Sequence, residues 1–281
     1  MKKEKLIAVL KSGNINLWAR YRKWLQRFGV YAVDLSDCNL SNSDLRGSDL
    51  SGCDLSYCDL SYCDLRGSNL GGSNLSGSDL RSSNLKGSNL KGSNLSNSDL
   101  RGSDLSGCDL SYCDLSYCDL RGSNLGGSNL SNSDLRGSDL SGSNLIYCDL
   151  SYCDLRGSNM SYSNLRGSDL RGSDLRGSNL SNSDLRDSDL RGSDLRGSDL
   201  RDSNLRGSNL DFSCWPLWCG SVSPKVDQKI VVQLLYHAAM PTQAHETDLG
   251  PDVKKLLNSD LFKQVVSKFH RSECDKFGGT K

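Results

Sequence analysis

Proline is scarce in this chain, with four in 281 residues, and so are methionine and histidine, with three each. The histidines stand at His237, His245 and His270, so the first 236 residues hold no side chain that ordinarily titrates near neutrality, and no nucleophile motif accompanies the three. No run approaches the ~20 apolar residues of a membrane helix. The N-terminal stretch Leu6 to Leu10 is too short for a secretory core and lacks a small-residue cleavage site. These absences predict a soluble, cytoplasmic protein with no membrane partner. Net charge is also missing, with 34 basic against 34 acidic side chains, so charge alone names no partner. Aromatics make up 7% and apolar residues 36%, a balance that read naively means low-complexity disorder.

Strict periodicity overturns that reading. From Val33 the chain runs as thirty-six uninterrupted pentads: a small residue, Asp or Asn, Leu, and two variable positions. Slot three is Leu from Leu35 to Leu210 with the single exception of Met160, and slot two is Asp twenty-two times and Asn fourteen. A spacing of five suits neither regular element. On a helix the leucines would spiral by about 140° per step, and on a strand they would alternate sides. A chain that bends once per pentad points every Leu at a common axis, and the Gly or Asn frequent in slot five suits the bend. Nine of the twelve cysteines (Cys38, Cys53, Cys58, Cys63, Cys108, Cys113, Cys118, Cys148 and Cys153) occupy slot one, where Ser otherwise stands, so they read as small packing residues rather than disulfide or redox groups.

CDLSYCDLSYCDLRGSNL and its neighbours resemble the pentapeptide-repeat family, and the match covers about 180 of 281 residues. The resemblance implies an all-β solenoid, a right-handed quadrilateral β-helix with four pentads per coil. Thirty-six pentads then give nine coils, roughly 43 Å long at ~4.8 Å per coil. The family favours Ala in slot one, whereas this chain has Ser at twenty-six positions, and inward hydroxyls need backbone partners.

Open coil ends need covers. Residues 1–32 carry eight Lys or Arg against Glu4 and place Trp18, Tyr21, Trp24, Leu25 and Phe28 at helical spacing, which predicts a short helical cap on the first coil. The array is expected over 33–219, with Trp215 keeping the five-residue phase in the Leu slot. Residues 220–281 hold two apolar stretches, around Ile230 to Leu235 and Leu256 to Phe269, read as a helical cap or dimerisation segment. CWPLWCG and the KVD-led stretch beyond it resemble tails of bacterial and phage pentapeptide-repeat proteins, which suggests such a setting.

Function must then lie on the outward slots two, four and five. The array carries 26 Asp against 17 Lys and Arg. Asp49, Asp54, Asp59 and Asp64 form one expected ring without basic residues, and Asp104, Asp109, Asp114 and Asp119 a second, with Tyr57, Tyr62, Tyr112 and Tyr117 beside them. Residues twenty apart should stack, which makes Arg136, Arg156, Arg176 and Arg196 a ladder on one face. Residues 41–81 recur at 96–136 with one difference, Gly77 against Asn132, and the offset of 55 turns the copy by three faces. No catalytic residue and no cofactor is expected. Cys214, Cys219, His270 and Cys274 are the one set with tetrahedral zinc chemistry, and an inert packing role is the more ordinary reading. The leading expectation is a non-enzymatic rod that binds a protein, as an inhibitor or modulator of a host protein, with self-association through the C-terminal segment and no direct nucleic-acid binding. The resemblance supplies a second: a DNA mimic that binds a type II topoisomerase such as gyrase. A zinc-dependent activity in the C-terminal segment is the third.

Overall fold

The computed structural model describes residues 3–214. Within it, slot two of each pentad bridges slot two of the pentad twenty residues on, always in parallel, from Asp34 with Asp54 through to Asp194 with Cys214. Four pentads therefore make one coil, and the chain is a right-handed quadrilateral β-helix. Leu35 to Leu210, Met160 included, lie at 0–1% exposure along the axis.

The pentad closes its own hydrogen-bond account. The amides of slots two, three and five pair with neighbouring coils, as in Asp54 N to Val33 O at 2.9 Å, Leu35 N to Asp54 O at 2.8 Å and Asp37 N to Ser56 O at 2.9 Å. The amide of slot one closes the turn onto the preceding Leu carbonyl, as in Ser48 N to Leu45 O at 3.1 Å. The slot-four amide remains, and in all thirty-six pentads it donates to the side-chain oxygen of the slot-two Asp or Asn. Asp or Asn in slot two is thus a turn-capping residue, because an orphaned amide at a half-buried corner would be costly.

Slot five has positive φ in every pentad, twenty times as Gly and sixteen times as another residue. With slot four at negative φ, this is the type II turn, whose third position suits Gly or Asn. Slot one turns inward. Its Ser hydroxyls bond Leu carbonyls, either one coil back, as Ser83 to Leu60 at 2.6 Å, or in the same turn, as Ser188 to Leu185 at 2.6 Å. Ser68, Ser93, Ser123 and Ser128 instead meet the slot-one group one coil on, and Ser48, Ser73 and Ser178 have no partner. The slot-one cysteines are free thiols, and burial pushes Cys53, Cys63 and Cys148 up to about 11 and Cys108, Cys118 and Cys153 up to about 12. At neutral pH those six carry almost no nucleophilic thiolate.

The N-terminal cover is two helices where one was expected: α1 over Lys3–Lys11 and α2 over Ile15–Arg27. Gly13 at φ +67° ends the first, and Asn14 caps the second by accepting from Leu17 N at 3.0 Å. The first coil leaves edge carbonyls with no earlier coil to bond them. Trp18 Nε1 donates to Asp49 O at 2.7 Å, and Arg22 Nη2 donates to Ser51 O at 2.7 Å. The buried stripe is Trp18, Arg22 and Leu25, whereas Trp24 is 52% and Phe28 68% exposed. An arginine displaces those two aromatics because the edge offers oxygens to be satisfied as well as apolar surface. The C-terminal segment expected over 220–281 lies outside the described residues, as do Trp215, Cys219, His270 and Cys274. Cys214 is exposed and bridges Asp194.

Candidate interaction surface

Slots two and four sit side by side on each face, and their chemistry is coupled. Wherever slot two is Asp and slot four Arg, the guanidinium turns back onto the carboxylate of its own pentad. Arg81 Nε lies 2.9 Å and Nη2 2.5 Å from Asp79, and Arg176 Nε lies 2.8 Å and Nη2 2.5 Å from Asp174. The paired guanidinium holds the Asp79, Asp134, Asp154 and Asp174 carboxyls below the usual carboxylate range and takes Asp44 down to about 2.

The predicted arginine ladder is present as a column, with each member engaged. Arg136, Arg156, Arg176 and Arg196 clamp Asp134, Asp154, Asp174 and Asp194, and the first three also reach the carboxylate one coil on at 3.5–3.7 Å. A row of clamped guanidiniums does not present the uncompensated charge that tracking a phosphate backbone requires.

The two aspartate rings need correction, since their members are not equivalent. Arg66 pairs with Asp64 and Arg121 with Asp119, both bidentately, and Arg22 stands 3.8 Å from Asp49. Asp54, Asp59, Asp104, Asp109 and Asp114 form no ion pair among the described residues, and Asp149, outside both expected rings, joins them. Charge also differs by face. The face of nine stacked pentads beginning at Asp44 carries five Asp and six Lys or Arg, while the faces beginning at Asp34, Asn39 and Asp49 each carry more Asp than Lys or Arg.

Tyrosines take the corners. Tyr57, Tyr62, Tyr112, Tyr117, Tyr147, Tyr152 and Tyr162 all have φ between 55° and 60° and are 60–70% exposed. Four rings lean along the rod over the glycine one coil on: Tyr57 over Gly77, Tyr117 over Gly137, Tyr147 over Gly167 and Tyr152 over Gly172. A Cβ at Gly77 would fall 2.6 Å from the Tyr57 ring, so that glycine makes room for the tyrosine. Tyr147, Tyr152 and Tyr162 were not among the expected surface residues, although the slot-five phase that marks the other four marks them too. Among the described residues no group of His, Cys, Asp and Glu could hold a metal, and no helix is long and apolar enough to cross a membrane.

A parallel β-solenoid finished by regular corners is a repeat rod whose exterior is set pentad by pentad. The family model for pentapeptide repeats matches residues 34–72, 73–111, 113–146, 138–177, 148–187 and 183–214, and the chain belongs to that family. No curated protein matches the chain. A trypsin-treated form of QnrB1, a plasmid-mediated fluoroquinolone resistance protein, is similar at 22% identity over 74% of this chain and 97% of that one, with a TM-score of 0.52. HetL, involved in heterocyst differentiation regulation in the cyanobacterium Nostoc, is 26% identical over 69% of this chain and 84% of its own, at a TM-score of 0.38. Rfr23 from the cyanobacterium Cyanothece is 33% identical over 33% of this chain and 63% of its own, at a TM-score of 0.33.

Proposed function

We propose that the rod works by binding a protein partner through its outward slots, as an inhibitor or modulator, and performs no chemistry itself. Pentapeptide-repeat proteins are generally structural or interaction proteins rather than enzymes. The observation that carries the reading is the set of seven tyrosines at left-handed corners. A bulky residue there is held against a steric preference of about 1–2 kcal/mol, and more than half of each ring faces solvent. Backbone strain of this kind collects at functional positions, and tyrosine is enriched where proteins meet. Replacing all seven tyrosines with Gly keeps the turn geometry. The variant is expected to retain the β-rich circular dichroism spectrum and to lose at least tenfold in affinity for the partner captured by the intact protein. An unchanged partner affinity removes the reading.

The unclamped carboxylates favour a second reading, a DNA mimic that occupies the basic channel of a type II topoisomerase. The clamped arginines oppose it. A gyrase supercoiling assay separates the two, since a mimic inhibits or protects at micromolar protein and a rod with a different partner does neither.

A further inference from the structure

The sequence Tyr-Cys-Asp-Leu-Ser-Tyr occurs three times, at 57–62, 112–117 and 147–152. Each copy spans one face from corner to corner, with a tyrosine at either end and one aspartate between. In each, the Asp Oδ1 is held by the Ser amide and hydroxyl of its own pentad: 3.1 and 2.6 Å for Asp59, 3.0 and 2.6 Å for Asp114, and 3.0 and 2.6 Å for Asp149. None of the three has a cation within ion-pair distance among the described residues. The surroundings repeat as well. One coil on, each face presents an Asp–Arg clamp, at Asp79–Arg81, Asp134–Arg136 and Asp169–Arg171. The second tyrosine of each copy donates its amide to the carbonyl of that arginine, at 3.0, 2.9 and 2.9 Å. Three related stations result, each with a carboxylate that has no charge partner, a tyrosine at the corner on either side and a neutral clamp one coil on. They differ in that Asp59 Oδ2 also accepts from Asn39 Nδ2 at 3.0 Å and the Tyr112 ring already has Lys91 over it.

Such a station suits a cation. A guanidinium or ammonium group placed there meets the carboxylate and the aromatic faces, and each cation–π contact at an exposed site is worth about 0.5–1 kcal/mol. The cation–π geometry already occurs at Tyr112, whose ring has Lys91 Nζ at 5.6 Å.

The placement of the stations defines the shape of the ligand. Asp59 and Asp114 are 55 residues apart, two coils and three pentads, while Asp149 follows by 35, one coil and three pentads. Each step therefore turns back by one face while advancing along the rod, by ~13 Å and then ~8 Å at ~4.8 Å per coil. The three stations lie on the three faces with excess Asp, and the fourth face, with excess cation, has none. A flat rigid partner cannot reach stations on three sides of a rod. We infer that the stations together receive one extended basic segment of a protein partner, which winds across three faces and places an arginine or lysine in each. This rests on the protein-binding reading and narrows it to a cationic, extended ligand.

The test uses the full chain and an unstructured 18-residue peptide of Arg-Gly-Ser repeats, titrated calorimetrically at low ionic strength. One peptide per rod is expected. Asp59→Asn, Asp114→Asn and Asp149→Asn together are expected to weaken it at least tenfold. Asn already fills slot two fourteen times, and Asn129 caps Ser131 N at 3.0 Å just as Asp does, so the turns are kept. Asp104→Asn is the control, because Asp104 lacks an ion pair but stands between Gly102 and Gly107. No change with Asp104→Asn and a large loss with the triple variant support the stations. Equal loss per carboxylate in both, three peptides per rod, or no binding overturns them. The peptide needs no natural partner. A rod that ignores the peptide yet loses its captured partner on replacement of the tyrosines refutes the stations and leaves protein binding standing.

Discussion

The coils before Cys153 and those after it share one core and differ in how that core is finished. Eight of the nine slot-one cysteines and six of the seven corner tyrosines belong to the earlier coils. Their slot-one groups tend to bond a Leu carbonyl one coil back, as Cys63 does to Leu40 at 2.9 Å and Ser98 to Leu75 at 2.7 Å. In the later coils most slot-one hydroxyls bond within their own turn, as Ser193 does to Leu190 at 2.7 Å and Ser203 to Leu200 at 2.6 Å. There the outer slots are filled with arginine clamps, at Arg156, Arg171, Arg176, Arg186, Arg191, Arg196 and Arg201. The contrast separates two tasks. The leucine column and the slot-two caps hold any coil together, while slot four decides whether the slot-two charge is cancelled or left open and slot five is free to carry a side chain at the corner.

The largest expected effect tests the shared part. Leu130→Ala in an earlier coil and Leu185→Ala in a later one each remove a fully buried side chain, and each is expected to cost about 3 kcal/mol by chemical unfolding. Losses that differ by more than half would show that the surface finish reaches the core.

Acid sharpens the difference. In the later coils the carboxyls of Asp154, Asp169, Asp174, Asp184, Asp194 and Asp199 are held below their ordinary value, so their contribution is present above about pH 4 and is lost as pH falls through the lowered values. Exposed pairs contribute little singly, so the effect rests on how densely the clamps are set in the later coils. Hydrogen exchange followed from pH 5 to pH 2 is expected to show the later coils losing protection before the earlier ones. Uniform loss along the rod would refute the assignment.

The smallest effect concerns corners. Tyr62→Gly in the earlier half is expected to raise stability by up to about 1 kcal/mol, and Gly192→Tyr in the later half to lower it by a similar amount. Thermal melts of the two single variants read this directly, and a destabilised Tyr62→Gly would mean that the ring packs more than it strains.

Much of this was legible before any coordinates. A Leu every fifth residue demanded a bend per pentad, and the small slot-one residues and the Gly or Asn of slot five marked inside and corner. Slot two was misjudged as plain exterior acid, because its use depends on an amide two residues on that periodicity alone does not leave unpaired. Surface pairing of the arginines with nearby slot-two aspartates is legible from the repeat, whereas the closure of each guanidinium on its own pentad, as Arg81 on Asp79, is not given by stacking every twenty residues. Arg22 was hidden by its type, since a buried arginine makes sense only once Ser51 O and Tyr31 O stand at an open edge.

The register of twenty residues per coil has a further consequence for how such a chain changes over generations. Because all pentads bond alike, the gain or loss of one unit leaves the interior undisturbed and swings every downstream side chain a quarter turn relative to the plugged end. The offset of 55 between the two near-identical segments is eleven pentads, so the second copy stands three faces on from the first. Binding groups on this scaffold can thus be re-aimed by counting alone, with no new residue invented.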